Sequence, residues 1–112
     1  VLRSTWSVNK MVEHVLEHEK KILDLQLDLN ERIRSLFFLR NIDDDSAALA
    51  ISKALYDDSE LLAHEAAYIL GQMKRTCVLP ILENVLKEKS LPAVVRHEAG
   101  EAIAAIGDPS SI

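Results

Sequence analysis

The chain has 112 residues and a mass of 12.5 kDa, the size of one compact domain able to bury roughly 65% of the surface its unfolded form exposes. Its 48% apolar and 28% charged residues, with three Gly, three Pro and 4% aromatics, leave too little turn material and too few aromatic or β-branched residues for a sandwich or barrel, and imply an all-α fold. A formal net charge of −5 without a cluster of Lys and Arg argues against nucleic acid and favours a neutral or cationic partner.

In chain order, residues 8 to about 27 read as a helix with Val8, Met11, Val12, Val15 and Ile22 on one arc and Glu13, Glu17, Glu19, Lys20, Lys21 and Asp24 on its polar back. Residues 1–28 are expected to cap the end of a helical solenoid, because such an end exposes an apolar face that a polar-backed helix can cover. From residue 29 the sequence repeats. Ala47, Ala50, Ile51, Ala54 and Leu55 have the spacing of an amphipathic helix, and Val78, Ile81, Leu82, Val85 and Leu86 match them at a constant offset of 31. Phe37, Phe38, Leu39 and Ile42 obey the same offset to Tyr68, Ile69, Leu70 and Met73. A third copy lies 33 residues on, where Leu62, His64, Glu65, Ala66, Ile69, Leu70 and Met73 map onto Val95, His97, Glu98, Ala99, Ala102, Ile103 and Ile106.

Each unit is a helix, a short loop and a second helix, which defines a helical solenoid of about two and a half repeats over 29–58, 59–91 and a truncated 92–112. Helices are expected at about 30–42, 46–55, 60–73, 77–89 and 93–106. Asp28 with Glu31 offers a capping box, and Ser46, Ser59 and Thr76 sit where N-caps are wanted. Pro92 suits a first helical turn and Gly107 a left-handed C-terminal cap. Asp108-Pro109-Ser110-Ser111 then resembles the start of a further helix. That ending, and Val1 in place of an initiator Met, lead us to expect a part of something longer, with an open apolar face between the helices at 77–89 and 93–106. Self-association through that face is a further expectation.

One cysteine, Cys77, excludes an internal disulfide and a CxxC zinc motif, and the cytoplasm is the expected compartment. No apolar run approaches the roughly 18 residues of a membrane span. Cys77 occupies the place of Ser46 in the preceding unit and reads as a helix-start residue.

The sharpest chemical signal is the recurrence of His64-Glu65 as His97-Glu98 at the same place in consecutive units. Equivalent helices of a solenoid lie about 8–10 Å apart, so two imidazoles and one or two carboxylates can face one strip of surface. Two His and a carboxylate with open positions suit non-haem iron(II), and equally zinc or manganese. The plainer alternative is a polar first turn, with Glu65 favouring the helix dipole. Unit one carries Ile33-Arg34 there, so the repeat does not need His-Glu to fold. His14-Val15-Leu16-Glu17-His18 matches the H-x-x-E-H string of zinc proteases, but on the capping helix it reads as a solvated face. Asp43, Asp44, Asp45, Asp57 and Asp58 read as acidic loops feeding helix N-termini, or as an electronegative rim for a cationic substrate.

Through the segments YDDSELLAHEAAYILGQM and VVRHEAGEAIAAIGDP, the chain from about residue 29 to 112 resembles the deoxyhypusine hydroxylase family, HEAT-repeat proteins of the bilin-lyase-like subclass. The resemblance implies a HEAT-like α-α superhelix and a non-haem di-iron monooxygenase. Such an enzyme hydroxylates the deoxyhypusine side chain of translation initiation factor 5A with O2 and an external reductant, completing hypusine. It implies iron ligation by His64, His97 and Glu98, and a place for Glu65 near the ammonium groups of the substrate, with Glu65 a further possible ligand. The family carries four His-Glu pairs in two halves, of which two are present. The chain thus corresponds to the N-terminal half, holds half a metal site, and is expected to be inactive without a C-terminal half. The alternatives are a non-catalytic HEAT-repeat interaction module and a bilin-lyase-like scaffold, for neither of which paired His-Glu is required.

Overall fold

Local chemistry at each terminus explains where the helices of the computed structural model, which describes residues 7–107, begin and end. Ser7 accepts a hydrogen bond from the Lys10 N–H at 3.1 Å and opens α1, Val8–Ile22. This helix stops at Ile22 rather than near 27. The Ile22 carbonyl accepts from Arg32 Nε at 2.8 Å, and the Asp24 carboxylate accepts from the Gln26 N–H at 2.9 Å, so the chain turns instead of continuing. α2, Leu29–Arg40, is capped by Asp28, which accepts from the Asn30 N–H. Glu31 does not complete the expected box; its carboxylate accepts from Arg34 Nη1 at 2.7 Å.

α3, Asp45–Ser52, starts at Asp44 and not at Ser46. The Asp44 carboxylate accepts both the N–H of Ser46 at 2.9 Å and its hydroxyl at 2.5 Å, which makes Ser46 a donor to the cap. Ser52 Oγ donates to the Leu49 carbonyl at 2.6 Å, and the helix tightens into a 3-10 turn over Lys53–Tyr56. α4, Glu60–Met73, has the expected cap, Ser59, accepting from the Leu62 N–H at 3.2 Å. It ends in a left-handed residue, Lys74, at φ 55° and ψ 38°. Thr76 does not cap: a 3-10 turn over Thr76–Val78 precedes α5, Leu79–Lys87, whose first turn holds Pro80, where a missing N–H does no harm. α6 spans Ala93–Gly107, and the Pro92 carbonyl accepts from the N–H groups of Val95 and Arg96, each at 3.1 Å. Gly107 is still helical, and no glycine among the described residues has a positive φ, so the left-handed cap expected there is absent. The segment expected to open a further helix, 108–112, lies outside the described residues, as do residues 1–6.

α2, α4 and α6 lie side by side in one layer. α3 and α5, with their 3-10 turns, form the second layer, and α1 closes the end against α2 and α3. The slab measures 42 × 40 × 18 Å, and its thin dimension is that of two interlocked helices. This is the HEAT-like solenoid expected from the repeat, without strands among the described residues. Ala47, Ala50, Ile51, Ala54 and Leu55 are all buried, as are Val78, Leu82 and Val85 in the next unit, whereas Leu86 is 43% exposed. α1 uses a narrower stripe than its sequence offers. Val15 and Ile22 are buried, but Val8 and Val12 stay exposed because α2 and α3 meet only one side of the helix. Among the described residues no helix is long and apolar enough to cross a membrane.

Two contacts fix the frame around the site. A Cβ placed on Gly71 of α4 would stand 3.1 Å from Ala102 Cα of α6, so the absence of a side chain lets these two helices touch through backbone. Arg32, 5% exposed, joins three segments: it donates from Nε to Ile22 and from Nη2 to Asp57 Oδ1 at 2.5 Å, just ahead of α4.

Candidate metal centre

The Ser59 cap sets the phase of α4, so that His64 and Glu65 emerge from its second turn. His97 and Glu98 leave α6 at the corresponding turn. The Gly71–Ala102 approach brings the helices close enough for these side chains to meet. His64 Nε2 lies 3.3 Å from Glu98 Oε1, and His64 Nδ1 lies 3.7 Å from Glu65 Oε1. One imidazole is thus held between two carboxylates, one from its own helix and one from the neighbour.

His97 does not join them. Its Nε2 pairs with Glu101 Oε1 at 2.9 Å, one turn along α6, and its side chain is 68% exposed. The His97 side chain lies along its own helix toward the residue four positions on, an ordinary i,i+4 pairing, instead of across to α4. The repeat therefore aligns the two dipeptides in sequence, while the contact runs diagonally from the His of one to the Glu of the other. A groove of about 340 Å³ runs beside this contact, with Tyr68, Gly71 and Gln72 on one wall and Glu98, Glu101 and Ala102 on the other. Glu98 and Glu101 line it together with Lys74, so its charge is mixed.

The remaining candidates take other places. The acidic loops are not a free rim. Arg75 bridges Asp43 and Asp45, the latter at 2.8 Å, Asp44 caps α3, and Asp57 is paired with Arg32 and accepts from the Ser59 N–H. Each of these four carboxylates answers a donor of the fold, while Asp58 is exposed; the two arginines offset part of the negative charge expected to attract a cation. Cys77 is half-buried in the 3-10 turn, and burial, together with nearby Asp45, pushes its thiol up from its ordinary pKa, away from nucleophilic character.

The His14–His18 string is more ordered than a solvated face. His18 Nδ1 is 3.0 Å from Ser35 Oγ of α2, and its ring stacks on Phe38 with centroids 3.9 Å apart. Burial holds the His18 pKa below its ordinary value, against the raising effect of Glu17. Donor atoms of His14, Glu17 and His18 all lie within 4.8 Å of one another, the only such His, Cys, Asp or Glu group among the described residues.

A two-layer stack of helical hairpins with a His–carboxylate contact between equivalent helices defines a HEAT-repeat protein with a candidate metal site. Comparison with known proteins narrows the class. No protein-family profile matches the chain. It is 50% identical over 92 residues to deoxyhypusine hydroxylase-B of Oryza sativa subsp. japonica, covering 82% of the chain and 30% of that protein. It is 56% identical over 81 residues to deoxyhypusine hydroxylase of Drosophila melanogaster, covering 72% and 27%. The solved structure of human deoxyhypusine hydroxylase in complex with glycerol superposes with a TM-score of 0.83 at 43% identity, over 92% of the chain and 36% of that protein. The chain belongs to the deoxyhypusine hydroxylase family and spans about a third of the length of its relatives.

Proposed function

We propose that this chain forms one side of the iron site of a deoxyhypusine monooxygenase, which hydroxylates the deoxyhypusine side chain of translation initiation factor 5A in the cytoplasm. The observation that carries the reading is the cross-helix pair His64–Glu98, a nitrogen and a carboxylate oxygen brought to 3.3 Å by consecutive repeats in a chain of this family. His64 and Glu98 are ligands in this reading. His97 is the third, which it becomes by rotating its exposed side chain away from Glu101. The donor set fits the ion: neutral imidazoles and carboxylates with positions left open are what non-haem iron takes. The iron, when bound, supplies the activation of O2 with electrons from an external reductant. Glu65 holds the ammonium groups of the substrate in this reading and is a further possible ligand.

The remaining part of the enzyme, with its own His-Glu pairs, closes the site from the other side, so this segment alone is inactive. Anaerobic titration of the purified chain with ferrous iron tests the reading. Stoichiometric uptake that is lost in His64→Ala and in His97→Ala is expected; uptake unchanged in both variants overturns it and leaves a non-catalytic HEAT-repeat module.

A further inference from the structure

We propose that His14, Glu17 and His18 of α1 form a second metal site, separate from the His64–Glu98 centre, that takes a zinc-class divalent ion. His14 and His18 stand one turn apart on the same face of α1, and Glu17 adds an oxygen donor next to them. Two donors at about 2.0–2.2 Å from one ion lie no more than about 4.4 Å apart. The present separations are all within 4.8 Å, with His14 Nδ1 already 3.9 Å from Glu17 Oε1, so side-chain adjustments of a few tenths of an ångström suffice. Lys21 Nζ, 3.7 Å from the other Glu17 oxygen, is the group an ion displaces or leaves on that outer oxygen.

What distinguishes this group from an ordinary surface His pair is the support behind it. Metal-binding imidazoles use the second ring nitrogen to hold their orientation. His18 is placed for this arrangement: its Nδ1 lies 3.0 Å from Ser35 Oγ, and in the tautomer that donates there Nε2 carries the lone pair. Phe38 fixes the plane of the same ring by stacking and also lies 5.7 Å from the ring of His14. Both partners belong to α2, so an ion here clamps two turns of the capping helix at the place where it meets the solenoid. Two imidazoles and a carboxylate leave a fourth position for water. The site stands on residues of α1 and α2 alone and does not depend on the function proposed above.

Zn2+ is the probe. Calorimetric titration of the full chain in the His64→Ala background, which removes the other centre, is expected to show one equivalent bound and a rise in Tm on zinc addition. His14→Ala, which leaves the His18–Ser35–Phe38 packing intact, abolishes both effects. Ser35→Ala, which removes only the partner of the second ring nitrogen, weakens binding by about tenfold. Absence of saturable uptake, or uptake undiminished in His14→Ala with helicity unchanged, overturns the proposal.

Discussion

Arg32 shows how much one side chain organises here. Its guanidinium and the Asp57 carboxylate are 7% and 10% exposed, and the same guanidinium satisfies the last carbonyl of α1. Replacing both charges with apolar groups would be tolerable, but removing one leaves a buried charge alone. Arg32→Met is therefore expected to lose roughly 3–5 kcal/mol of stability in denaturant unfolding. A loss below about 1 kcal/mol would mean that the pair behaves like a surface ion pair. Nothing in the sequence singles out Arg32 from Arg34 two positions on, yet Arg34 is exposed and pairs only with Glu31. The difference is made by what α1 and the loop at Asp57 place around each residue. His64 and Glu98 are the opposite case. Their types and recurrence were legible as a candidate site, but the partnering of His64 with Glu98 depends on where α4 and α6 cross.

Helix boundaries divide along the same line. Ser59 caps α4 as its position predicts, whereas at Ser46 and Thr76 the expected hydroxyl cap loses to a competitor. A carboxylate two residues earlier displaces Ser46, and the turn into Pro80 pre-empts Thr76. The two inner glycines of the HEAT layer give a matched test of how α4 and α6 are held together. At Gly71 an added methyl meets Ala102 Cα at 3.1 Å, a backbone atom that yields only if α6 moves. At Gly100 it meets Leu86 Cδ1 at 3.4 Å, a flexible side-chain end. Gly→Ala inside a helix gains about 1 kcal/mol of propensity, while overpacking costs roughly 1–3 kcal/mol. Gly71→Ala is expected to lower Tm and weaken iron uptake by separating His64 from Glu98. Gly100→Ala should be neutral or stabilising. Equal behaviour of the two variants in a thermal melt would show that α4 and α6 are not held by backbone contact at Gly71.

The assembled slab has unlike ends. α1 covers one, burying Val15 and Ile22, while at the other Leu86 and Val94 are each 43% exposed and Ile103 and Ile106 only half-buried. Complete burial is worth about 1.5–3 kcal/mol for each such side chain. Self-association through α5 and α6 is the expected outcome for the chain by itself, and sedimentation at tens of micromolar measures it. A monomer under those conditions would show that the polar groups there, Arg96, His97 and Glu101, keep the face solvated.

Periodicity alone established the all-α solenoid, the pairing of helices into repeats and the candidate status of the two His-Glu pairs, because these arise from spacing along a 3.6-residue helix and need no knowledge of neighbours. The surroundings of His18, of the aspartates and of His97 were decided only in the folded molecule. Each turned on which side chain of another element or turn stood opposite: Ser35 and Phe38 for His18, Arg75 and Arg32 for the aspartates, Glu101 for His97. Spacing determines the face a residue occupies on its own helix; the close approach of α4 and α6 through Gly71 and the lie of α1 on α2 determine what that face meets.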